Sequence, residues 1–264
     1  MPCSLKASCK FVPKKRRSPV TLRGAAFFNN FHRIMSLLKK ETGVWGMPVK
    51  AVLFDFDGTL ADTLPASFKA FRSVFEKYDR MSLTEERIVA MFGPTEEGIL
   101  GKYLKNRFAF SEAVEQYYEV YKQSHADLVP DHPEMIELLA KLKKNDILIG
   151  VVTGKSDRAF QLSAEALKLK AFFDAAITGD DVKQPKPDPE GVLAALKQLG
   201  ASPEEAVFVG DSNADIKAGK DAGVRTFAVQ WLSVSQSTQY DVQPDGVFYR
   251  IQDFQDWLAR TNSA

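Results

Sequence analysis

Short apolar runs alternate with longer amphipathic stretches along the chain after residue 46. A continuous apolar run bounded by turn residues is typical of a strand buried on both faces of a parallel sheet. The predicted strands are Val49–Asp55, Ile147–Thr153, Ala175–Thr178, Ala206–Gly210, Val224–Val229 and, with a weaker pattern, Gly246–Tyr249. The predicted helices between them are Pro133–Lys144, Asp157–Leu167, Pro189–Leu199 and Asn213–Ala222. This alternation predicts a doubly wound, Rossmann-like α/β core with a parallel sheet.

The interval 62–129 interrupts the alternation because it contains no convincing strand pattern. Aromatic side chains recur there at helical spacing, at Phe68, Phe71, Phe75 and Tyr78 and again at Tyr117, Tyr118 and Tyr121. Such stripes indicate amphipathic helices that pack on one another rather than contacts to a cofactor. We therefore predict a helical cap over residues 62–129, inserted into an α/β core formed by residues 47–61 and 130–264.

Charge is distributed unevenly along the chain. Residues 1–46 contain ten Lys or Arg and one acid, Glu41. Since the whole chain has a formal net charge of +1 and this stretch carries +9, the remainder carries −8. An acidic body argues against a nucleic-acid partner. Both cysteines also lie in the basic stretch, and no run is long enough to cross a membrane. We expect a cytoplasmic monomer or homodimer without membrane association.

The basic stretch 1–46 has more than one interpretation. Lys14–Arg17 has the composition of a targeting or anion-binding patch, and an acid-poor leader with arginines also resembles a transit peptide. We favour the interpretation that residues 1–46 are an N-terminal extension, disordered or not part of the mature protein, and that the functional protein starts at Met47.

Two aspartates, Asp55 and Asp57, lie at the tip of the first predicted strand with one residue between them. Gly58 then ends the strand, and Thr59 supplies a hydroxyl. Ligands of parallel sheets bind beyond the carboxyl ends of the strands. Two carboxylates buried there require a cation or a shared proton, which points to metal-phosphate chemistry or to a nucleophile beside a general acid. The alternative is an ordinary solvated turn.

Two further segments carry candidate phosphate ligands. Thr153, Gly154 and Lys155 follow a strand and open a helix, where backbone N–H groups attract anions. Their alternative role is helix capping. Lys186 lies in the stiff loop Gln184–Pro189, where prolines restrict the backbone on both sides. The alternative there is a proline-rich turn with an exposed lysine.

A second pair of acids, Asp211 and Asp215, follows the strand Ala206–Gly210 at the start of a helix. Alone, these residues are equally consistent with helix capping. Because the tips of parallel strands share one edge of the sheet, however, all these segments are expected to converge. Several carboxylates with room for water suit Mg²⁺, and a hydroxyl, a lysine and free amides suit a phosphate.

The combined motifs resemble those of the haloacid dehalogenase superfamily. They occur in the same order and with similar spacing, as Asp55-Phe56-Asp57-Gly58-Thr59-Leu60, Thr153, Lys186-Pro187 and Gly210-Asp211 to Asp215. The resemblance covers residues 49 to about 229 and includes a helical insert like that of the phosphoglycolate phosphatase-like branch. It implies an α/β fold with a helical cap, and a phosphatase that requires Mg²⁺.

The resemblance also implies a mechanism. Asp55 would attack phosphorus and form an aspartyl-phosphate, and Asp57 would protonate the leaving oxygen and then activate water. Thr153 and Lys186 would bind the transferring phosphoryl group. Gly58, Thr59, Gly154 and Lys155 belong to the same segments and are predicted substrate contacts.

The implied metal site uses the same aspartates. Asp55, the backbone carbonyl of Asp57 and Asp211 would hold Mg²⁺, with Asp215 behind them or bound through water. Within the superfamily, Asp57 argues against dehalogenase, transport ATPase and phosphonate-cleaving chemistry, all of which lack the second acid. Ser67 stands where β-phosphoglucomutase-like phosphomutases carry a histidine, which favours hydrolysis over phosphoryl transfer to a sugar.

The substrate is expected to be a small phosphoester held under the cap. Glu96 lies in Phe92–Gly98, which looks like the cap loop that faces the active site in related phosphatases, and is a predicted substrate contact. Glu96 or its neighbour Glu97 would meet the leaving group or hold a second ion, and the alternative is an acid that stabilises a helix N-terminus. Phosphoglycolate, pyrophosphate and small sugar phosphates remain candidates, and a phosphomutase is the rival enzyme. A regulatory protein that keeps only the fold is disfavoured because the motif residues are intact.

Overall fold

The computed structural model describes residues 47–263, so the interpretations of residues 1–46 lie outside it. Six parallel strands form one sheet in the order β3-β2-β1-β4-β5-β6. The strands are β1 Ala51–Phe54, β2 Leu148–Val152, β3 Ala175–Ile177, β4 Ala206–Gly210, β5 Arg225–Val229 and β6 Gly246–Phe248. The predicted parallel α/β fold is confirmed.

Nine α-helices lie within residues 47–263. They are α1 Leu64–Asp79, α2 Glu85–Val89, α3 Glu96–Tyr103, α4 Phe110–Leu128, α5 Pro133–Lys144, α6 Asp157–Ala166, α7 Glu190–Leu199, α8 Asn213–Asp221 and α9 Ile251–Ser263. No helix in this part of the chain combines the length and apolar character needed to span a bilayer. The first four helices occupy the interval in which no strand was predicted.

The central strand β1 lies at the point where the strand order reverses. It pairs with β2 on one side and β4 on the other, so that Phe54 is opposite Val151 and Val209. Residues that directly follow these three strands must therefore emerge side by side at one edge of the sheet. In open α/β sheets, ligands bind in the crevice at such a switch point.

Alternate residues of β1 face opposite layers of helices, which explains its continuous apolar sequence. Val52 and Phe54 belong to the core that also contains Leu138 of α5 and Phe254 of α9. On the other face, Ala51 and Leu53 belong to a second core together with residues of α7 and α8. Because both faces are covered, every residue of β1 is buried.

The helices between β1 and α5, here called the helical insert (residues 62–129), pack through the aromatic residues noted in the sequence. Phe71 of α1 lies 4.6 Å from Tyr117 of α4 between ring centroids, and Tyr117 is stacked with Tyr121 at 5.9 Å. All three rings are buried. The aromatic stripes therefore form packing contacts, although Tyr117 also borders the cavity described below. The separation of the insert as a cap domain stays a prediction.

Candidate active site

The residues that follow β1, β2 and β4 lie together at one edge of the sheet. Asp55 follows β1, and its backbone N–H donates to the carbonyl of Val209 at 2.9 Å. Thr153 follows β2 and Asp211 follows β4. All three of these residues are buried. The strand register thus brings together side chains that are far apart in the sequence.

Three buried carboxylates, those of Asp55, Asp211 and Asp215, form a cluster in which one oxygen from each lies within 4.8 Å of the others. Asp215 Oδ2 accepts hydrogen bonds from the N–H and the hydroxyl of Ser212 at 3.0 and 2.6 Å. Asp211 Oδ2 accepts one from the backbone N–H of Gln236 at 2.7 Å. These bonds orient the carboxylates and fall on Asp215 Oδ2 and Asp211 Oδ2.

The ammonium of Lys186 lies beside this cluster. Its Nζ is 2.5 Å from Asp55 Oδ1 and 2.7 Å from Asp215 Oδ1, and it donates to the carbonyl of Val152 at 2.9 Å. Burial alone would lower the pKa of Lys186, but the nearby carboxylates of Asp215 and Asp55 outweigh burial and raise it. Lys186 is therefore a fixed positive charge that contacts the proposed nucleophile directly.

The cluster has an excess of negative charge that one lysine does not balance. Burial raises the pKa of Asp55 and of Asp211, and repulsion among the carboxylates raises both further. Buried oxygen donors with an excess of negative charge suit a hard divalent cation. The residues present therefore fit a metal site, with Asp55, Asp211 and Asp215 as candidate ligands.

Asp57 follows Asp55 by two residues and is less buried than Asp55. Its Oδ1 accepts a hydrogen bond from the hydroxyl of Thr63, and Lys155 Nζ donates to the same oxygen at 3.1 Å. Its backbone carbonyl accepts from Gln236 Nε2 at 3.4 Å. Asp57 thus has a fixed orientation at the boundary between the sheet edge and the helical insert.

A cavity of about 150 Å³ lies between the sheet edge and the helical insert. Its charged lining residues are Asp55, Asp57, Glu96, Lys155, Lys186 and Asp215, and its other lining residues include Leu64, Ser67, Phe71, Phe92, Gly154, Ile99 and Tyr117. With roughly 30 Å³ per water molecule in the liquid, this space suits a small ligand. On the side formed by the insert, Glu96 is the single charged residue among those described.

Not every predicted substrate contact lines this cavity. Gly154, Lys155 and Glu96 do, whereas Gly58 and Thr59 lie against Asp211, with Thr59 Oγ1 3.4 Å from Asp211 Oδ1. Their role as substrate contacts stays a prediction, since their observed contacts position a carboxylate of the cluster.

Thr153 is close to the site but turned toward its own loop. Its hydroxyl oxygen accepts from the backbone N–H of Lys155 at 3.2 Å. The hydroxyl thereby shapes the turn between β2 and α6, and its predicted contact with a phosphoryl group stays a prediction.

Sequence reasoning did not identify Gln236, Thr63 or Tyr117 as part of the site. Gln236 lies in the loop after β5 and contacts both Asp211 and the carbonyl of Asp57. That loop carries no strand, helix or phosphate motif, so the sequence offered no signal for it. The helical spacing of Tyr117 indicated its burial but not which buried residues border the cavity.

Position 58 requires glycine because the turn after β1 passes very close to Asp211. Its φ of +84° lies in the left-handed region, and a Cβ there would lie 2.3 Å from Asp211 Oδ2 and 2.9 Å from the carbonyl oxygen of Val234. Both the backbone conformation and the lack of space exclude a side chain at this position.

We expect Gly58→Ala to lower the free energy of unfolding by about 1–3 kcal/mol, the cost of holding a non-glycine residue in a strained backbone conformation. Urea denaturation in the presence of a chelator measures this. The matched control is Gly101→Ala in α3, where the nearest atom would be 3.7 Å away. Its free energy of unfolding should rise by roughly 0.5–1 kcal/mol because alanine is the better helix residue. Equal stabilities for the two variants would contradict the stated role of Gly58.

Comparisons with known proteins identify a family and a shared fold. The sequence profile of a family described as haloacid dehalogenase-like hydrolase matches residues 52–229. Pyrophosphatase PpaX of Bacillus velezensis is 34% identical over 209 residues, which cover 78% of this chain and 94% of that protein.

Two solved structures share the fold. CbbY from Rhodobacter sphaeroides, crystallised in complex with phosphate, has a TM-score of 0.69 at 22% identity and is matched over 78% of this chain and 96% of its own. A haloacid dehalogenase-superfamily hydrolase of subfamily IA from Geobacter sulfurreducens has a TM-score of 0.59 at 24% identity, over 83% of this chain and 99% of its own.

Proposed function

Because this chain belongs to the haloacid dehalogenase-like hydrolase family and is a phosphatase, we propose that it hydrolyses a small phosphoester through a covalent phosphoenzyme on Asp55. The observation that carries this proposal is the position of Asp55 in the cavity. Its carboxylate is buried and paired with Lys186, and a second acid, Asp57, lies two residues further along the chain and borders the same space. Covalent catalysis then divides one difficult displacement into two easier ones.

In the first step, a carboxylate oxygen of Asp55 attacks phosphorus and the bond from phosphorus to the leaving oxygen breaks. Asp57 gives its proton to that oxygen. In the second step, Asp57 takes a proton from water, which attacks phosphorus and releases phosphate and free Asp55. Lys186 and Thr153 hold the transferring phosphoryl group, and the fixed charge of Lys186 stabilises the negative charge that accumulates there.

The resident cation proposed for the cluster is Mg²⁺, held by Asp55, Asp211 and the carbonyl of Asp57, with Asp215 directly or through water. When bound, it lowers the repulsion between an anionic nucleophile and an anionic phosphoester. Lys186 alone would leave an excess of negative charge around Asp55, which supports the need for the metal.

A small phosphoester of the phosphoglycolate type is the first candidate substrate, and pyrophosphate is the second. The name of the Bacillus velezensis relative favours pyrophosphate. The wall formed by the insert favours a leaving group that carries no second phosphate, because within the described residues it offers no Lys or Arg to hold one. Ser67 lines the cavity where phosphomutases of this fold carry a histidine, which supports hydrolysis over phosphoryl transfer.

We expect phosphate release in a screen of phosphoglycolate, pyrophosphate, small sugar phosphates and nucleotides in the presence of Mg²⁺. The organic product is identified in parallel so that hydrolysis is distinguished from isomerisation. An isomerised sugar phosphate without free phosphate, in reactions primed with a sugar bisphosphate, would overturn the proposal in favour of a phosphomutase. No release from any compound would favour a regulatory or binding role.

A further inference from the structure

A buried lysine, Lys155, lies between Asp57 and the helical insert. Its Nζ is 3.1 Å from Asp57 Oδ1 and 3.8 Å from Glu96 Oε1, and it lies 4.8 Å from the ring centroid of Tyr121. The side chain is only 4% exposed. An ammonium held by two carboxylates and an aromatic face already has the partners that a buried cation needs. Lys155 is thereby directed toward Asp57 rather than toward the phosphoryl position beside Asp55.

The contacts of the Asp57 carboxylate with described residues fall on a single oxygen. Both Lys155 and the hydroxyl of Thr63 donate to Oδ1. Oδ2 makes no such contact, and Asp57 borders the cavity. This arrangement fixes the rotation of the carboxylate and leaves Oδ2 as the oxygen able to meet a leaving group.

Glu96 connects this arrangement to the helical insert. It lies in the first turn of α3, where Thr95 caps the helix by accepting from the N–H of Gly98. Glu96 Oε2 accepts from the backbone N–H of Ser156 at 2.8 Å, while Oε1 faces Lys155. Glu96 therefore contacts both the loop after β2 and the lysine that holds Asp57.

A second contact from the insert reaches the same loop. The hydroxyl of Tyr118 in α4 lies 2.8 Å from the hydroxyl of Ser156, which caps α6. The segment that carries Lys155 is thus held by the insert at two points. Any displacement of the insert from the sheet edge would remove Glu96 from Lys155.

We propose that Lys155 is a positioning residue that holds Asp57 Oδ1 so that Oδ2 faces the leaving oxygen, and that Glu96 makes this orientation depend on the placement of the helical insert. The proposal rests on the proposed function, in which Asp57 protonates the leaving group. It gives Lys155 and Glu96 a role distinct from the direct substrate contact predicted from the sequence.

The leaving group provides a test that a purely structural role would not pass. An alkoxide leaves poorly without a proton, so an ester with an alkyl leaving group depends on a well-placed acid. p-Nitrophenolate leaves readily without one, so p-nitrophenyl phosphate is insensitive to the placement of Asp57. The quantity to compare is kcat/KM, since it reports the step in which the leaving group departs and excludes the later hydrolysis that both substrates share.

For Lys155→Met, we expect kcat/KM on phosphoglycolate to fall about 10²-fold, within the range that a positioned general acid contributes, and kcat/KM on p-nitrophenyl phosphate to change by about twofold at most. If the wild-type protein is faster on glycerol 1-phosphate, that compound replaces phosphoglycolate. Lys155→Arg should restore part of the loss because it keeps the charge. Lys144→Met, at an exposed position on α5, is the matched control and should change neither rate.

Glu96→Gln tests the same proposal from the insert. Glutamine keeps an oxygen that can accept from Ser156 N–H but lacks the charge that faces Lys155, so it should give a smaller loss confined to the alkyl ester. Equal losses on both substrates in the Lys155 and Glu96 variants would overturn the proposal and indicate phosphoryl binding or a folding defect. A wild-type protein that releases phosphate from neither ester would instead contradict the proposed function.

Discussion

Asp55→Asn is expected to abolish phosphate release while the protein remains folded. The amide cannot act as the attacking carboxylate, and loss of a covalent nucleophile typically costs roughly 10⁴- to 10⁶-fold in kcat. Asparagine has the same shape, and its carbonyl oxygen can still accept from Lys186, so the neighbouring contacts are retained. Phosphate release on the best substrate of the screen measures activity, and circular dichroism confirms the fold.

Rapid quench with ³²P-labelled substrate provides a second measurement for this variant. The wild-type protein should acquire acid-stable label before it releases phosphate, and Asp55→Asn should acquire none. Asp127→Asn, at an exposed position on α4, is the matched control and should retain full activity and labelling. Turnover by Asp55→Asn at the wild-type rate would rule out Asp55 as the nucleophile.

The same variant should alter how the stability of the metal-free protein depends on pH. Burial and then the neighbouring Asp215 raise the pKa of Asp55 in the fold. A raised pKa favours the protonated form in the folded state. The contribution of Asp55 to the free energy of unfolding is therefore greatest below the ordinary aspartate pKa, about 4, and falls as the pH rises toward the raised value. In a chelator, Asp55→Asn should show a weaker fall than the wild-type protein, measured by urea denaturation across this pH range.

Removal of the divalent cation is expected to abolish activity and to destabilise the fold. The three carboxylates of the cluster repel one another, and a bound cation relieves that repulsion in the folded state alone. Addition of Mg²⁺ to the metal-free protein at 100 times its dissociation constant should raise the free energy of unfolding by about 2.7 kcal/mol. Thermal melts with and without Mg²⁺ measure this effect.

Asp211→Asn should reduce the stabilisation by Mg²⁺ because it replaces a charged ligand of the cluster. Asp127→Asn is again the control and should respond to Mg²⁺ as the wild-type protein does. Full activity of the wild-type protein in excess chelator would contradict the metal site. Activity that requires Mg²⁺ but is unaffected by Asp211→Asn would place the metal elsewhere.

The fold was largely predictable because buried parallel strands have a distinctive sequence. The predicted bounds Ala206–Gly210 and Pro133–Lys144 agree with the structure to the residue. The first strand ends at Phe54 rather than the predicted Asp55, although Asp55 N–H still donates to β4. Such differences at strand ends arise because strand limits depend on pairing with neighbours, which the local pattern does not contain.

The candidate site was predictable where its residues follow strands. Two of the aspartates, Asp55 and Asp211, come directly after apolar runs, and Asp57 follows Asp55 by two residues. A parallel sheet therefore has to bring all three to one edge. The proline-rich loop alone was equally typical of a turn with an exposed lysine, and Lys186 was assigned to the site by its place in the order of the four motifs. The structure places its Nζ against Asp55. Gln236 was missed because a loop without regular structure gives no indication of where its backbone will lie.

Local sequence patterns are sufficient to predict the parallel α/β fold, the edge at which the acids gather and their excess of negative charge. These follow from local patterns: apolar runs form buried strands, and polar residues at their ends share one edge. Three features became visible only in the folded chain: Lys155 turns toward Asp57 and Glu96, Thr59 faces Asp211, and the insert closes one side of the cavity with mostly apolar residues. Those outcomes depend on which side chains from distant segments compete for the same buried space, and no local pattern specifies that.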